Sequence, residues 1–273
     1  MTVRTTTKEF LDELAEERHA QAVSYPRRRF AKAAPIPTKI LHCALFRVAD
    51  KRSERRELEA VFPLSSGGYL AYKGPELRQD DGKVFAALAH LTAGFGTCHG
   101  AYFKPADFVK LLGWSRSQHS NERLETCLER LRDASLAFYN SVNKKVWVTG
   151  LVLEIDYVVK GKPGQWHVSL SDKLRQEAFD HFSQTTHLNI AILAKMSSGL
   201  VSWLYAFVLS NECDKPFLLE DLRILSGSNA KSAKEWGTQV REALDVLQER
   251  KVLAYESKRG AVIVQKNPRQ PRE

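Results

Sequence analysis

The 273 residues are 43% hydrophobic and 10% aromatic, with 41 lysines and arginines against 32 aspartates and glutamates, a formal net charge of +9. That composition supplies one or two packed cores, and the charge favours a polyanionic partner, nucleic acid before an anionic membrane surface. No run of about 18 apolar residues exists, so no membrane span is expected; the N-terminus lacks an apolar signal core, and four scattered cysteines (Cys43, Cys98, Cys127, Cys213) without a C-x-x-C pair point to reduced thiols in the cytoplasm.

In chain order, residues 8–20 carry Phe10, Leu11 and Leu14 at helical spacing among charges of both signs. Residues 26–38, PRRRFAKAAPIPT, hold three prolines and the basic run Arg27, Arg28, Arg29 and Lys32, so residues 1–38 are expected to be a flexible basic arm. Ile40–Val48 alternates weakly and predicts a strand, and Glu57–Pro63 and Gly68–Tyr72 predict two more. Asp80 or Asp81 can cap a helix over 82–93. A loop at 94–100, a short helix at Lys104–Leu112 and a turn at Gly113–Ser117 precede a longer helix over 118–134, with Leu124, Leu128 and Leu131 as its stripe. Strands follow at Leu136–Asn140, Lys145–Val159 (with Gly150 as a break or bulge) and Gln165–Leu170. Their turns, at 143–145 and 160–164, are basic.

The second half reads the same way. A helix and a connecting segment over 171–196 lead to an apolar helix at Ser197–Ser210. After it come an extended stretch at Pro216–Leu218, a short helix at Leu219–Leu225, a turn at Ser226–Ser228 and a long helix over about 232–250. Val252–Glu256 and Ala261–Gln265 then form a hairpin with Ser257–Gly260 at its tip, and residues 267–273 are expected to be a disordered tail. Each half thus runs helix, strand, short helix, turn, longer helix, hairpin. That order predicts an α+β chain of two tandem winged helix-turn-helix domains, at 39–172 and 173–266.

The two long helices differ. In 232–250 the apolar stripe is Trp236, Val240, Ala243, Leu244 and Leu247, and the opposite face carries Lys231, Lys234, Thr238 and Arg241 before Asp245 and Glu249. Ser232 fits the start of a capping box with Glu235. A recognition helix presents its N-terminal residues to base edges, so the basic end suits DNA. In 118–134 the face opposite the leucines carries His119, Glu122, Thr126, Glu129 and Asp133. Its three carboxylates would repel phosphate, so its contacts are expected at Arg116, Ser117, Gln118 and His119, flanked by Arg123. Lys144, Lys145, Lys258 and Arg259 are expected to reach phosphates from hairpin tips. A solvated helix or turn would show the same surface charges. Trp114 and Trp236 read as core anchors rather than stacking groups.

No phosphate-binding G-x-x-x-x-G-K-[ST] is present, Cys98-His99 is too small a set for a metal site, and no His–carboxylate set converges. No cofactor, metal or catalytic activity is expected. A nuclease or relaxase, a transcriptional repressor and a dimeric adaptor stay as alternatives.

Three stretches, in order, carry a resemblance: Tyr72–Asp81 (YKGPELRQDD), Leu112–Ser115 (LGWS) with Asn121–Leu131 (NERLETCLERL), and Ser226–Val240 (SGSNAKSAKEWGTQV). Together they resemble plasmid replication initiators of the TrfA type, over roughly residues 40–265. The resemblance implies two winged-helix domains that bind direct repeats (iterons) at a plasmid origin, open an adjacent A+T-rich region, and recruit the host initiator and helicase. It also implies a homodimer in equilibrium with an origin-active monomer. Initiators of this type carry a Gln-Leu-x-Leu-Phe segment that engages the host sliding clamp. Residues 1–40 contain none, which counts against that contact.

Overall fold

The computed structural model describes residues 33–49, 53–63, 68–95, 100–139, 146–159, 163–171, 185–196, 199–211 and 216–266. Helices are interspersed with strands that pair antiparallel, making the chain α+β. The first half holds β1 (Ala33–Pro37), α1 (Thr38–Leu41), β2 (Glu57–Pro63), β3 (Tyr69–Pro75), α2 (Gln79–Phe95), β4 (Ala101–Phe103), α3 (Pro105–Leu111), α4 (Gln118–Asp133), β5 (Ser135–Tyr139), β6 (Val146–Gly150), β7 (Val152–Asp156) and β8 (Trp166–Leu170). The second holds β9 (Thr185–Asn189), α5 (Ile190–Ala194), α6 (Leu200–Ser210), β10 (Pro216–Leu218), α7 (Leu219–Ser226), α8 (Ala233–Glu249), β11 (Leu253–Lys258) and β12 (Ala261–Lys266). No helix among the described residues is long and apolar enough to cross a membrane.

One order of elements occurs twice: α2, β4, α3, α4, β7–β8, and then α6, β10, α7, α8, β11–β12. In each, the short strand pairs with the second strand of the hairpin, giving sheets β4-β8-β7 and β10-β12-β11. Local chemistry repeats with it. α3 and α7 both end on a left-handed glycine, Gly113 (φ +72°) and Gly227 (φ +62°). Gly113 and Trp114 donate back to the carbonyls of Lys110 and Val109 at 3.0 Å, and Gly227 and Ser228 to those of Ile224 and Arg223 at 3.1 and 3.2 Å. Two such bonds form a Schellman motif, whose left-handed position suits a residue without Cβ. Extended serines then start the long helices: Ser117 Oγ accepts from the Ser120 N–H and Ser232 Oγ from the Glu235 N–H, both at 3.1 Å. Leu124, Cys127, Leu128 and Leu131 of α4 are buried, as are Trp236, Val240, Ala243, Leu244 and Leu247 of α8.

Two further sheets surround this repeat, the four-stranded β2-β3-β5-β6 and the pair β1-β9. The second joins the halves, and buried side chains from both form one continuous core. Polar bonds also cross the seam. Lys83 Nζ donates to the Met196 carbonyl and the Val48 N–H to that of Ser226 at 2.8 Å.

Three expectations need correction. Residues 33–38 are not part of a flexible arm. Ala34 and Ile36 are buried and the strand pairs with β9, because Pro35 and Pro37 lie in a two-stranded sheet whose outer side needs no donor. Ile40–Val48 is not a strand. Thr38–Leu41 makes one helical turn, and Ile40, Cys43, Leu45 and Phe46 reach the core without a ladder. Lys145–Val159 is two strands rather than one, and of the two readings of Gly150 the break holds, since the chain leaves β6 at Gly150 and enters a different sheet at Val152. Residues 1–32, 172–184 and 267–273 lie outside the described residues, and with them the 8–20 helix, the rest of the arm, the 172/173 boundary and the tail.

Candidate nucleic-acid interface

The N-terminal half of α8 is anchored from beneath. Trp236 is 1% exposed, and its Nε1 donates to the Leu219 carbonyl at 2.6 Å. On the outer face, Lys231, Ser232, Lys234 and Thr238 are exposed. Thr238 Oγ1 donates to the Lys234 carbonyl at 3.1 Å. The guanidinium of half-buried Arg241 folds back over Gly237, where a Cβ would lie 3.5 Å from both terminal nitrogens. Lys258 and Arg259 are exposed at the turn between β11 and β12. Among the described residues, none of Lys231, Lys234, Arg241, Lys258 and Arg259 has an ion-pair partner. The far half of α8 is tied to β11 instead. The Tyr255 hydroxyl donates to Asp245 Oδ1 at 2.6 Å, and that bond with partial burial pushes its pKa up to about 12.

α4 is arranged differently. Arg116 pairs with Asp107 at 3.4 Å, both exposed. Ser117 is spent as the cap, and Gln118 Nε2 donates to Glu122 Oε1 at 2.9 Å. His119 is exposed. Arg123 lies 4.1 Å from the centre of the half-buried Trp114 ring and 3.6 Å from Asp80. Arg130 reaches Asp81, which is fully buried, at 2.7 Å, and Arg55 bonds both carboxylates, at 2.6 Å to Asp81 and 2.9 Å to Asp80. Burial works to raise the Asp80 carboxyl, but Arg55, Arg123 and Arg130 outweigh it and hold it below its ordinary value.

The structure thus gathers Lys231, Ser232, Lys234, Thr238, Arg241, Lys258 and Arg259 on the second half, and places Arg116, Ser117, Gln118, His119 and Arg123 at the start of α4. Lys144 and Lys145 lie outside the described residues. The strands that flank them, β5 and β6, belong to the sheet β2-β3-β5-β6. The hairpin equivalent to β11–β12 is β7–β8, so the link between β5 and β6 is not the counterpart of 257–260. Gly150 was the one sequence signal of that switch. Arg47 and Arg55 carried no signal. Arg47 donates through Nε and Nη2 to the Gly227 carbonyl, at 3.2 and 3.1 Å, holding the turn that precedes α8.

The sequence model of the TrfA protein family matches residues 26–259. The chain belongs to the TrfA family. It is 23% identical over 217 residues to the plasmid replication initiator protein TrfA of Escherichia coli, a match covering 78% of this chain and 56% of that protein. The chain therefore spans little more than half the length of that TrfA relative. Two crystal structures of RctB domains 2 and 3 share the fold at 15% identity. One, of selenomethionine derivatives, has a TM-score of 0.63 and covers 85% of this chain and 98% of that one. The other has a TM-score of 0.56 and covers 84% and 96%. The TrfA match includes α4 and α8 entire, together with the turn that carries Lys258 and Arg259.

Proposed function

We propose that the chain is a sequence-specific, DNA-binding plasmid replication initiator without catalytic activity, built from two tandem winged helix-turn-helix domains. It binds direct repeats at the origin, promotes opening of an adjacent A+T-rich region and recruits the host initiator and helicase, exchanging between monomer and homodimer. It acts in the cytoplasm, where the plasmid is, and sets plasmid copy number. One observation carries the reading: in a member of the TrfA family, the cations on the outer face of α8 and on the β11–β12 turn are unpaired, whereas the arginines of α4 are matched by carboxylates. α8 is accordingly the base reader, with Lys231, Lys234 and Arg241 near base edges and Lys258 and Arg259 on phosphates. α4 touches DNA through its first turn.

A competition gel shift tests the binding. Repeats from the cognate origin should displace the protein at concentrations where unrelated duplex does not, and affinity should fall steeply with salt as phosphate-bound cations are released. Equal competition by both duplexes would overturn the reading. Supplying the gene in trans to an origin fragment tests initiation: replication of the fragment is expected, and binding without replication would make the protein a repressor instead.

A further inference from the structure

A notch of about 350 Å³ lies where the two halves meet, bordered by the starts of α2 and α4, by Arg47, Ala49, Ser53 and Arg55, and by Gly199 just before α6. Four arginines line it, Arg47, Arg55, Arg78 and Arg123, and Asp80 is the one carboxylate among the lining residues. Behind the wall, Asp81 is taken up by Arg55 and Arg130, and Glu76 by Arg78 at 3.0 Å. Among the described residues, five guanidiniums therefore face three carboxylates, a surplus of two positive charges in a partly enclosed space.

The donors are not equally committed. Arg55 spends both terminal nitrogens on Asp80, Asp81 and the Glu76 carbonyl, and Arg78 spends all three of its nitrogens on Glu76 and the carbonyls of Ser53 and Glu54. Arg47 uses only Nε and Nη2, on the Gly227 carbonyl. Arg123 makes one long contact to Asp80 and lies over the Trp114 ring. His119 projects from the first turn of α4 into the same space. Two guanidiniums held in place with spare donors, beside an imidazole, suit a tetrahedral oxyanion, since planar forks bind phosphate oxygens in pairs.

We propose that this notch is a phosphate site that holds one backbone phosphate of DNA beside the start of α4. The proposal rests on the DNA-binding reading above and adds a residue-level contact to it. Arg47 makes the contact consequential. The side chain that would grip the phosphate also holds the carbonyl of Gly227, so an occupied notch fixes where α8 starts relative to α4. A free nucleotide phosphate offers the same chemistry, and the test separates the two sources.

The test is a cycle between protein and phosphate. Origin-repeat duplexes carrying one neutral methylphosphonate at successive positions are titrated with the wild type, Arg47→Gln and His119→Ala, the last a surface change that leaves folding intact. On unmodified duplex Arg47→Gln should bind about tenfold more weakly, the effect of losing a charge-assisted bond. At one internal position the methylphosphonate should weaken the wild type similarly yet leave Arg47→Gln unaffected, and His119→Ala should blunt the effect at that same position. Additive losses at every position, with repeat preference intact, would overturn the notch alone; loss of repeat preference in the wild type would overturn the DNA-binding reading. Calorimetry with ADP and with pyrophosphate forms the second arm. Binding abolished by Arg47→Gln, without coupling to any duplex phosphate, would assign the notch to a free phosphate and overturn the DNA contact.

Discussion

Replacing Trp236 by alanine should come close to unfolding the C-terminal half. The indole is 1% exposed and heads the buried stripe of α8. Truncating a buried tryptophan costs about 3–5 kcal/mol through lost transfer energy and the cavity left behind. Its Nε1 also satisfies the Leu219 carbonyl, whose own N–H donates to the Gly260 carbonyl at 3.0 Å. The Leu219 carbonyl also lies in the first turn of α7, where the helix offers it a second donor, so losing the indole N–H adds only the net worth of one hydrogen bond, about 0.5–1.5 kcal/mol. A total of about 4–6 kcal/mol is a large share of the roughly 5–15 kcal/mol that holds a typical domain together. Trp236→Phe keeps most of the ring volume but not the donor, and should cost about 1–2 kcal/mol. Guanidinium unfolding followed by circular dichroism separates the two. The alanine variant should lose several kcal/mol, and the Leu219–Gly260 link should loosen the turn carrying Lys258 and Arg259. An alanine variant as stable as the wild type would refute the anchor. A phenylalanine variant as weak as the alanine one would mean that the hydrogen bond, not the packing, carries the stability.

Other substitutions follow from the same geometry. Lys251 ends α8 at φ +59°, the one non-glycine residue with positive φ among those described, and its N–H reaches the Gln248 carbonyl. Lys251→Gly should therefore stabilise by about 1 kcal/mol, seen as a higher denaturant midpoint at unchanged slope; no gain would mean the lysine side chain offsets the strain. Arg241→Ala should weaken repeat binding by about 1–3 kcal/mol while leaving the melting temperature alone, and an equal loss on unrelated DNA would make it a phosphate contact. Asp80 sits below its ordinary value when folded, so its contribution is present above the unfolded pKa of about 3.9 and is lost as pH falls below it. Asp80→Asn should flatten acid unfolding there, and an unchanged acid limb would place the sensitivity elsewhere. Burial pushes the Cys43 thiol up to about 12 and the Cys127 thiol well above its usual range. Neither should react with alkylating reagents in the native state at neutral pH, which residue-resolved mass spectrometry can check; labelling at the rate of a free thiol would contradict their burial.

Local signals carried most of the element order. The leucine spacing of α4, the serines at 117 and 232, and the glycines at 113 and 227 each act within one turn of helix, so a reader of sequence meets cause and effect together. The failures share the opposite property. Ala33–Pro37 becomes a strand only because β9, about 150 residues later, offers a ladder. The alternation of Ile40–Val48 is real, but it points side chains into a seam between the halves rather than onto a sheet. Gly150 read as either a break or a bulge because nothing local says that β5–β6 and β7–β8 belong to different sheets. A Cβ there would lie 2.9 Å from the Val152 carbonyl oxygen, so the residue permits a sharp crossing from one sheet to the other.

The contrast between the helices was half legible. Carboxylates on the outer face of α4 were visible, but the fate of its arginines was not, since Arg123 and Arg130 turn to Asp80 and Asp81 at the start of α2. Pairing, rather than charge count, decides which helix presents cations to DNA. Those ion pairs place α4 on α2, and they leave surplus positive charge only at its first turn, beside Arg47. A helix whose arginines are spent internally contributes little by reading bases along its length. On the proposed DNA-binding reading, its part is to hold its N-terminus in place beside the notch that Arg47 also lines. Substitutions at the start of α4 should then alter how the second helix sits on DNA, whereas substitutions further along α4 should alter folding.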